Sequence, residues 1–591
     1  MNRSIACSRR LRRFVLLSGA VWILSGLAVT ASAASYQNLP VIKPTISCEQ
    51  LQNIDLSQAV GAKVTILSAT VTDTPKGQFC KITGNIDPED GFEVDLPIDH
   101  WTQRFVEPGC GGGCGVIRAT IPSANACVPA LNGEFAVAAN NLGHTGGKNY
   151  PDGWASDPAK RLDMAYLGNH QTTLVAKALM KAFYGQGPSF SYFMGCSDGG
   201  REGLIEAERY PEDFDGISAG APVILFPVQN TLVKRWESLS NTRADGSKIL
   251  LRSRVSLLHQ AIIDHCPTLS GVQDGLLEDP RTCKFDPAWV QCKAGETDIT
   301  KCLTAEEVGV AQKLYDGAVD HEGRHLTIGG FMPGSEPNWS LPASATGGQA
   351  PPSGPNDMVK YMLQFKPVSD DEPMIDGKFP FDEATFNYVA RSAPFWGGAN
   401  TNLRPYLKHG GKLILWHGLS DVSVTPWVSI AYYQGVQKEM GESVTDSFLR
   451  LFLIPGVSHC GGGEGFQQMD LLTPLMAWTE MKEAPRMLMT GIPANQDRDQ
   501  SGHGGPNKTP ALPYASAPQP TSATRPVFAY PNVAHYTGKG DPKDAANFEP
   551  VKTTGPVPQP FDTLATRLIG PDNQKFYHVE NGQLVANPAS K

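Results

Sequence analysis

Beyond residue 33 the sequence contains no run long and apolar enough to cross a bilayer, which leaves no membrane-spanning segment in the mature chain. It also lacks an excess of positive charge. Fifty Lys and Arg face 59 Asp and Glu, a formal net charge of −9, so the basic face that marks a nucleic-acid binder is not expected. What remains is a globular composition, 41% hydrophobic and 18% charged. A chain of 591 residues can bury a large core and hold several domains, or one domain with a big insertion.

The N-terminus reads as an address. Arg9, Arg10, Arg12 and Arg13 form a basic region, residues 14–29 are apolar, and Ala31-Ser32-Ala33 is a small-residue cleavage signal. The apolar run is short and ends in small residues, which favours a cleaved signal peptide (residues 1–33) over an anchor. The mature protein is expected to be periplasmic or secreted. Cys7 precedes the apolar run and is lost on cleavage, leaving eleven of twelve cysteines. In an exported chain these read as disulfides rather than metal ligands. Cys48 with Cys80, Cys266 with Cys283, and Cys292 with Cys302 are local candidates. Cys110, Cys114 and Cys127 can form one bridge and leave one thiol, and the spacing leaves the choice open.

One stretch organises the chain: Gly195-Cys196-Ser197-Asp198-Gly199-Gly200. The apolar run 190–194 precedes it and a helical pattern follows at 201–209. Strand, tight glycine-flanked turn, then helix is the context of a nucleophile elbow, where a side chain at either flank would crowd its neighbours. Short strand-rich segments come before it, at 64–67, 92–96, 104–106 and 135–139, and a long helix is expected from Leu162 to Tyr184. A glycine cluster at 109–115 follows the strand at 104–106; such a loop brings backbone N–H groups close to a ligand.

After a further strand at 214–222 the βα alternation stops. Residues 223–401 read as irregular, with four cysteines, a Pro/Gly/Ser-rich stretch at 333–355 and scattered aromatics (Trp339, Tyr361, Phe365, Phe395). Sheet character returns at 412–418 and 448–454. The fold class is therefore α/β: an α/β-hydrolase core (34–222 and 402–591) with a large inserted lid domain (223–401). From about Pro493 the Pro- and Gly-rich C-terminal part is expected to wrap the core as extended chain.

A serine nucleophile needs a base, and the base an orienting acid, in the order Ser, Asp, His for this fold. Asp421 follows the strand at 412–418 and His459 follows the strand at 448–454. By itself each has an ordinary reading, a turn aspartate and a surface histidine; the order and the strand ends raise them to candidates. Cys196 directly precedes the serine and Cys460 directly follows the histidine. If Ser197 and His459 touch, these cysteines must be neighbours, and a bridge between them would tie nucleophile to base.

The segments Gly195 to Gly203, His417-Gly418-Leu419-Ser420-Asp421 and Pro455-Gly456-Val457-Ser458-His459-Cys460 resemble the tannase/feruloyl esterase family of serine esterases. Arg161 to Tyr166, the strand from Asp215 to Pro222, and Tyr530-Pro531 with Gly538 and Asp541 extend the resemblance through most of the mature chain. The resemblance implies a triad of Ser197, Asp421 and His459, a triad-linking disulfide of Cys196 with Cys460, and small esters of aromatic or phenolic acids (galloyl, feruloyl or related) as substrates. Elbow geometry gives the Asp198 N–H as one oxyanion donor; the resemblance gives Gly112 as the second.

Within the family, a mono(2-hydroxyethyl) terephthalate-type activity is the alternative, although the aromatic residue that follows the triad aspartate there is Val424 here. A serine peptidase and a noncatalytic exported binding protein are the rival classes. No organic cofactor is implied. Family members often hold calcium in an acidic loop after a cysteine, and here that loop starts at Cys266 and lacks two of its three carboxylates. Ser270, Asp274 and the carbonyls of Val272 and Leu276 are the candidate ligands of a weak calcium site.

Overall fold

The computed structural model describes residues 36–146, 153–346, 358–363, 380–494, 515, 518–553 and 563–571, with the backbone of 577–580 and 583–586. The expected signal peptide and Phe365 lie outside the described residues. Nine strands form the central sheet: β1 (Val64–Thr74), β2 (Gly77–Ile86), β3 (Asp90–Pro97), β4 (Arg104–Pro108), β5 (Phe135–Asn140), β6 (Phe190–Cys196), β7 (Gly216–Gly220), β8 (Lys412–Gly418) and β9 (Leu449–Ile454). Their spatial order is β1-β2-β3-β5-β4-β6-β7-β8-β9. The pairs from β1 to β5 through β3 are antiparallel; from β5 through β4 to β9 every pair is parallel.

The parallel half is buried on both faces, and its side chains alternate between two cores. Phe193, Ile217, Leu413 and Leu415 point into one, with Leu204 and Ile205 of helix α2 (Asp198–Arg209) and Val175 and Leu179 of helix α1 (Gly168–Tyr184). Tyr192, Met194, Ile414, Trp416, Phe452 and Ile454 point into the other. The helix expected from Leu162 starts as a short turn at Pro158–Leu162, widens to a π-turn at Asp163–Leu167 and continues as α1. The Arg201 guanidinium accounts for part of that widening, since it donates to the carbonyls of Met164 and Ala165 at 3.0 and 2.8 Å.

Residues 223–401 are not irregular throughout. They contain helix α3 (Val255–His265) and helix α4 (Ala305–Asp316), the latter opened by a capping box of Thr304 and Glu307. A small core of their own, with Leu258, Leu303, Val310, Leu314 and Trp339, also takes in Val422, the residue after Asp421. After β8 come helix α5 (Pro426–Met440), β9, and helix α6 (Leu472–Met481).

The described C-terminal residues form paired strands rather than a plain extended wrap. A three-stranded antiparallel sheet joins β10 (Gln468–Met469), β11 (Met487–Pro493) and β12 (Thr521–Phe528), and a ribbon follows of β13 (Asn532–Tyr536) and β14 (Phe548–Lys552). An isolated antiparallel bridge from Ala529 to Phe452 caps the β9 edge of the large sheet, a position otherwise open to pairing with another chain.

Candidate active site

β6 ends at Cys196 and α2 begins at Asp198, so Ser197 alone makes the turn, at φ +65° and ψ −121°. Such a conformation is strained for a residue with a Cβ and lifts the side chain off the end of the sheet. Close packing requires the flanking glycines: a Cβ on Gly195 would sit 2.1 Å from the Gly199 carbonyl oxygen, and one on Gly200 would sit 2.2 Å from that of Gly220. Beneath the turn, Asp198 accepts from Arg201 Nε at 2.6 Å and Nη2 at 3.0 Å, in a pair fully enclosed by protein.

Two loops bring polar groups to this serine. The loop after β9 carries His459, whose Nε2 lies 2.7 Å from Ser197 Oγ and whose Nδ1 lies 2.7 Å from Asp421 Oδ2. The loop after β8 carries Asp421, which is fully buried. Its Oδ1 accepts from the backbone N–H groups of Ser423 and Val424 at 2.8 and 3.0 Å. Its Oδ2 also faces His417 Nε2 at 3.1 Å. Burial by itself would raise the affinity of this carboxylate for a proton. The facing imidazole of His459 and the donors around it outweigh burial and hold Asp421 well below the usual carboxylate range. With Asp421 ionised, His459 Nδ1–H donates to it, and Nε2 is left to accept the Ser197 proton.

Cys196 and Cys460 are joined, with Cα atoms 5.9 Å apart and a separation of 264 positions in sequence. Among the described residues the remaining bridges are Cys48–Cys80, Cys266–Cys283, Cys292–Cys302 and Cys110–Cys114, and Cys127 is a buried free thiol. The choice left open by spacing is thereby made, and the Cys110–Cys114 bridge closes the glycine loop into a ring. Gly112 sits at its exposed tip with φ +68°. The base of the ring abuts the elbow, since a Cβ on Gly109 would meet Gly199 Cα at 2.8 Å. Asp198 N–H lies in the first turn of α2, where helical amides have no acceptor within the helix.

Sequence reading treated Glu202 and His417 only as parts of motifs. Glu202 Oε2 accepts from the Cys110 N–H at 3.0 Å and from Asn169 at 2.9 Å, anchoring the glycine loop. Burial, with the Asp198 charge adding to it, pushes its carboxyl up to about 8. His417, at the end of β8, touches the acid directly. The only sequence signal was its place four residues before Asp421.

The candidate calcium loop is otherwise engaged. Ser270 Oγ exchanges hydrogen bonds with the backbone of Val272, and Asp274 Oδ1 accepts from the Leu276 N–H. Asp274 Oδ2 is 2.7 Å from Arg525 Nη2. The one carboxylate of the set faces a guanidinium, so these residues do not fit a calcium ion. Among the described residues no group of three or more His, Cys, Asp or Glu could hold a metal, and no helix is long and apolar enough to cross a membrane.

A mostly parallel sheet with an elbow serine after β6, an acid after β8 and a histidine after β9 defines an α/β-hydrolase fold. The solved structure of an esterase from Aspergillus oryzae shares that fold, with a TM-score of 0.67 at 24% identity over 87% of this chain and 98% of that one. The sequence pattern of the family described as tannase and feruloyl esterase matches residues 76–551. The mono(2-hydroxyethyl) terephthalate hydrolase of Piscinibacter sakaiensis is 30% identical over 543 residues, 81% of this chain and 86% of the relative. A probable feruloyl esterase of Arthroderma benhamiae is 31% identical over 492 residues, 78% and 82% of the two chains. The chain belongs to the tannase and feruloyl esterase family and is a carboxylic ester hydrolase.

Proposed function

We propose that this protein is an exported serine esterase that hydrolyses small esters of aromatic or phenolic acids through Ser197, His459 and Asp421. The observation that carries the reading is the position of His459, within 2.7 Å of both Ser197 Oγ and Asp421 Oδ2. As Ser197 Oγ bonds to the ester carbonyl carbon, its proton passes to His459 Nε2. The charge on the carbonyl oxygen falls to the N–H groups of Asp198 and Gly112, and losing one such donor typically costs about 3–4 kcal/mol in the barrier. His459 then returns the proton to the departing alcohol oxygen, leaving an acyl-serine. Water repeats the sequence: His459 takes its proton, its oxygen bonds to the acyl carbon, and Ser197 leaves with the proton restored.

The insert acts as a lid in this reading. That role is supported by the bonds of Gln229, Asn338 and Gly330 to Ser423, Ser420 and Thr425 in the loop that carries Asp421. Export is inferred from the signal-like N-terminal sequence and is supported by the five disulfides among the described residues. Reaction with a fluorophosphonate probe, followed by a panel of methyl gallate, methyl ferulate, mono(2-hydroxyethyl) terephthalate and p-nitrophenyl esters, tests the proposal. Labelling of Ser197 and preference for an aromatic acyl ester are expected. No labelling, or turnover of peptides in place of esters, would overturn it.

A further inference from the structure

His417 is buried and surrounded by partners that fix its ring. Nε2 lies 3.1 Å from Asp421 Oδ2 and 3.0 Å from the Val424 carbonyl oxygen. Both neighbours are acceptors, so Nε2 carries the hydrogen and shares it between them. Nδ1 lies 2.8 Å from Ser429 Oγ on α5, whose hydroxyl donates to it. The imidazole is thus held in one tautomer from both sides, by the loop after β8 at Nε2 and by α5 at Nδ1.

The consequence falls on Asp421. A carboxylate held only by His459 could swing about its Cα–Cβ bond or rotate its oxygens. Here Oδ1 is taken by two backbone amides, and Oδ2 is shared by two imidazoles. Three protein donors besides His459 therefore set the plane of the carboxylate. Of these, only His417 acts on the same oxygen that receives His459 Nδ1–H. Its shared hydrogen also clamps Val424 O, closing the turn from Asp421 to Val424 on itself.

We propose that His417 is a positioning residue of the hydrolytic reaction: its Nε2–H fixes the Asp421 oxygen on which His459 is aligned, extending the chain Ser197–His459–Asp421 to His417 and Ser429. The inference rests on the proposed triad. It predicts a defect in the chemical step rather than in substrate binding, because His417 reaches the substrate only through two other side chains.

Asn and Gln at position 417 separate this role from simple filling of a polar core. The amide of Asn lies where Nδ1 does and can keep Ser429, but falls short of Asp421. That of Gln reaches the Nε2 position and can donate to Asp421. His417→Asn should lower kcat by about 10²-fold, the scale of a small misplacement at a reacting contact, with KM changed less than about threefold. His417→Gln should recover most of that loss. The far-downfield proton resonance of the His459–Asp421 hydrogen bond should shift in the Asn variant and return in the Gln variant. Melting curves of both variants accompany the kinetics.

Wild-type labelling by a fluorophosphonate with equal kcat in wild type and His417→Asn would overturn the role of His417 and leave the triad standing. Folded Asn and Gln variants with the same loss would overturn it as well, since donor reach would not matter. If the Asn variant does not fold, Ser429→Ala with the Gln variant decides: loss of kcat on freeing Nδ1, at constant KM, supports the clamp, and full activity removes it. Failure of the wild type to label Ser197 would reject both readings.

Discussion

Asp421 accepts four hydrogen bonds while enclosed on all sides, so its charge is satisfied before any substrate arrives. Changing it to Asn substitutes a donor for one acceptor oxygen. Whichever way the amide turns, an N–H meets either two backbone amides or an imidazole donor. Asp421→Asn should therefore lower kcat by roughly 10⁴-fold, the loss seen when a triad acid becomes an amide, and should destabilise the protein as well. Ser197→Ala should abolish turnover with an unchanged melting temperature, because it leaves the turn and its packing in place. Progress curves and melts of both variants check this, and turnover of Ser197→Ala above trace level would reject the nucleophile. The meeting of Ser197, Asp421 and His459 was legible because a serine between glycines, an aspartate and a histidine each follow a recognisable strand end. His417 was not, because its role depends on Asp421 folding back across the strand end within four residues.

At the scale of elements, two loops and one bridge bring Ser197 and His459 together. The Cys196–Cys460 disulfide links the end of β6 to the loop after β9 immediately beside Ser197 and His459. Its closed loop, a separation of 264 positions, corresponds to about 5.6 kcal/mol in the chain-entropy picture. Replacing both cysteines by Ala should loosen the His459–Ser197 contact, giving about a 10²-fold drop in kcat with a smaller change in KM and a lower melting temperature. Peptide mapping without reductant should recover the pair from wild type. Cys196 paired elsewhere, or free, would remove the argument.

A second tie joins α3 of the insert to the same loop. His259 Nδ1 lies 2.9 Å from Glu336, and Nε2 lies 3.2 Å from Glu464, five residues after His459. Glu336 also accepts from the hydroxyl of Tyr315 and the N–H of Gly334. Burial disfavours the charged ring, but the two carboxylates prevail and hold His259 at about 9. Because that value lies above the unfolded one near 6.5, the stabilisation is complete below about pH 6.5 and is lost as pH rises through about 9, a change on the order of 3 kcal/mol. Denaturant unfolding at pH 6 and pH 9.5 should show this loss in wild type and little of it in His259→Gln. Equal slopes in the two proteins would exclude His259 as the cause.

The strands at 412–418 and 449–454 and the elbow could be read from the sequence, since apolar runs bounded by glycine leave little else for them to be. The helices of the insert were missed although Val255, Leu258, Ala261 and Ile262 keep helical spacing and Thr304 with Glu307 signals a helix start. Short helices between cysteines and prolines resemble loops when their packing partners are unknown.

Over the whole molecule, the insert and the C-terminal sheet meet at Arg525, which pattern reading had no means to find because its partners lie about 250 residues away. Its guanidinium bridges Asp274 at 2.7 Å and Glu278 at 2.9 Å. It also lies over the rings of Phe466 and Phe548, 4.6 and 4.8 Å from their centroids. Phe466 follows the loop that carries His459, and Leu276 of the insert packs against Gly456, three residues before His459. An organic cation thus ties three parts of the chain together in the loop where the family resemblance suggested calcium. Arg525→Ala should leave two carboxylates without their counter-ion, one of them buried, and cost about 3–5 kcal/mol. Calcium should then distinguish the two proteins. Millimolar calcium or EDTA should move the wild-type melting temperature little, whereas calcium should partly restore the Arg525→Ala variant by neutralising Asp274 and Glu278. Thermal melts of both proteins with calcium and with chelator make the comparison. A large chelator-sensitive shift in wild type would show that the ion, not the arginine, holds this junction.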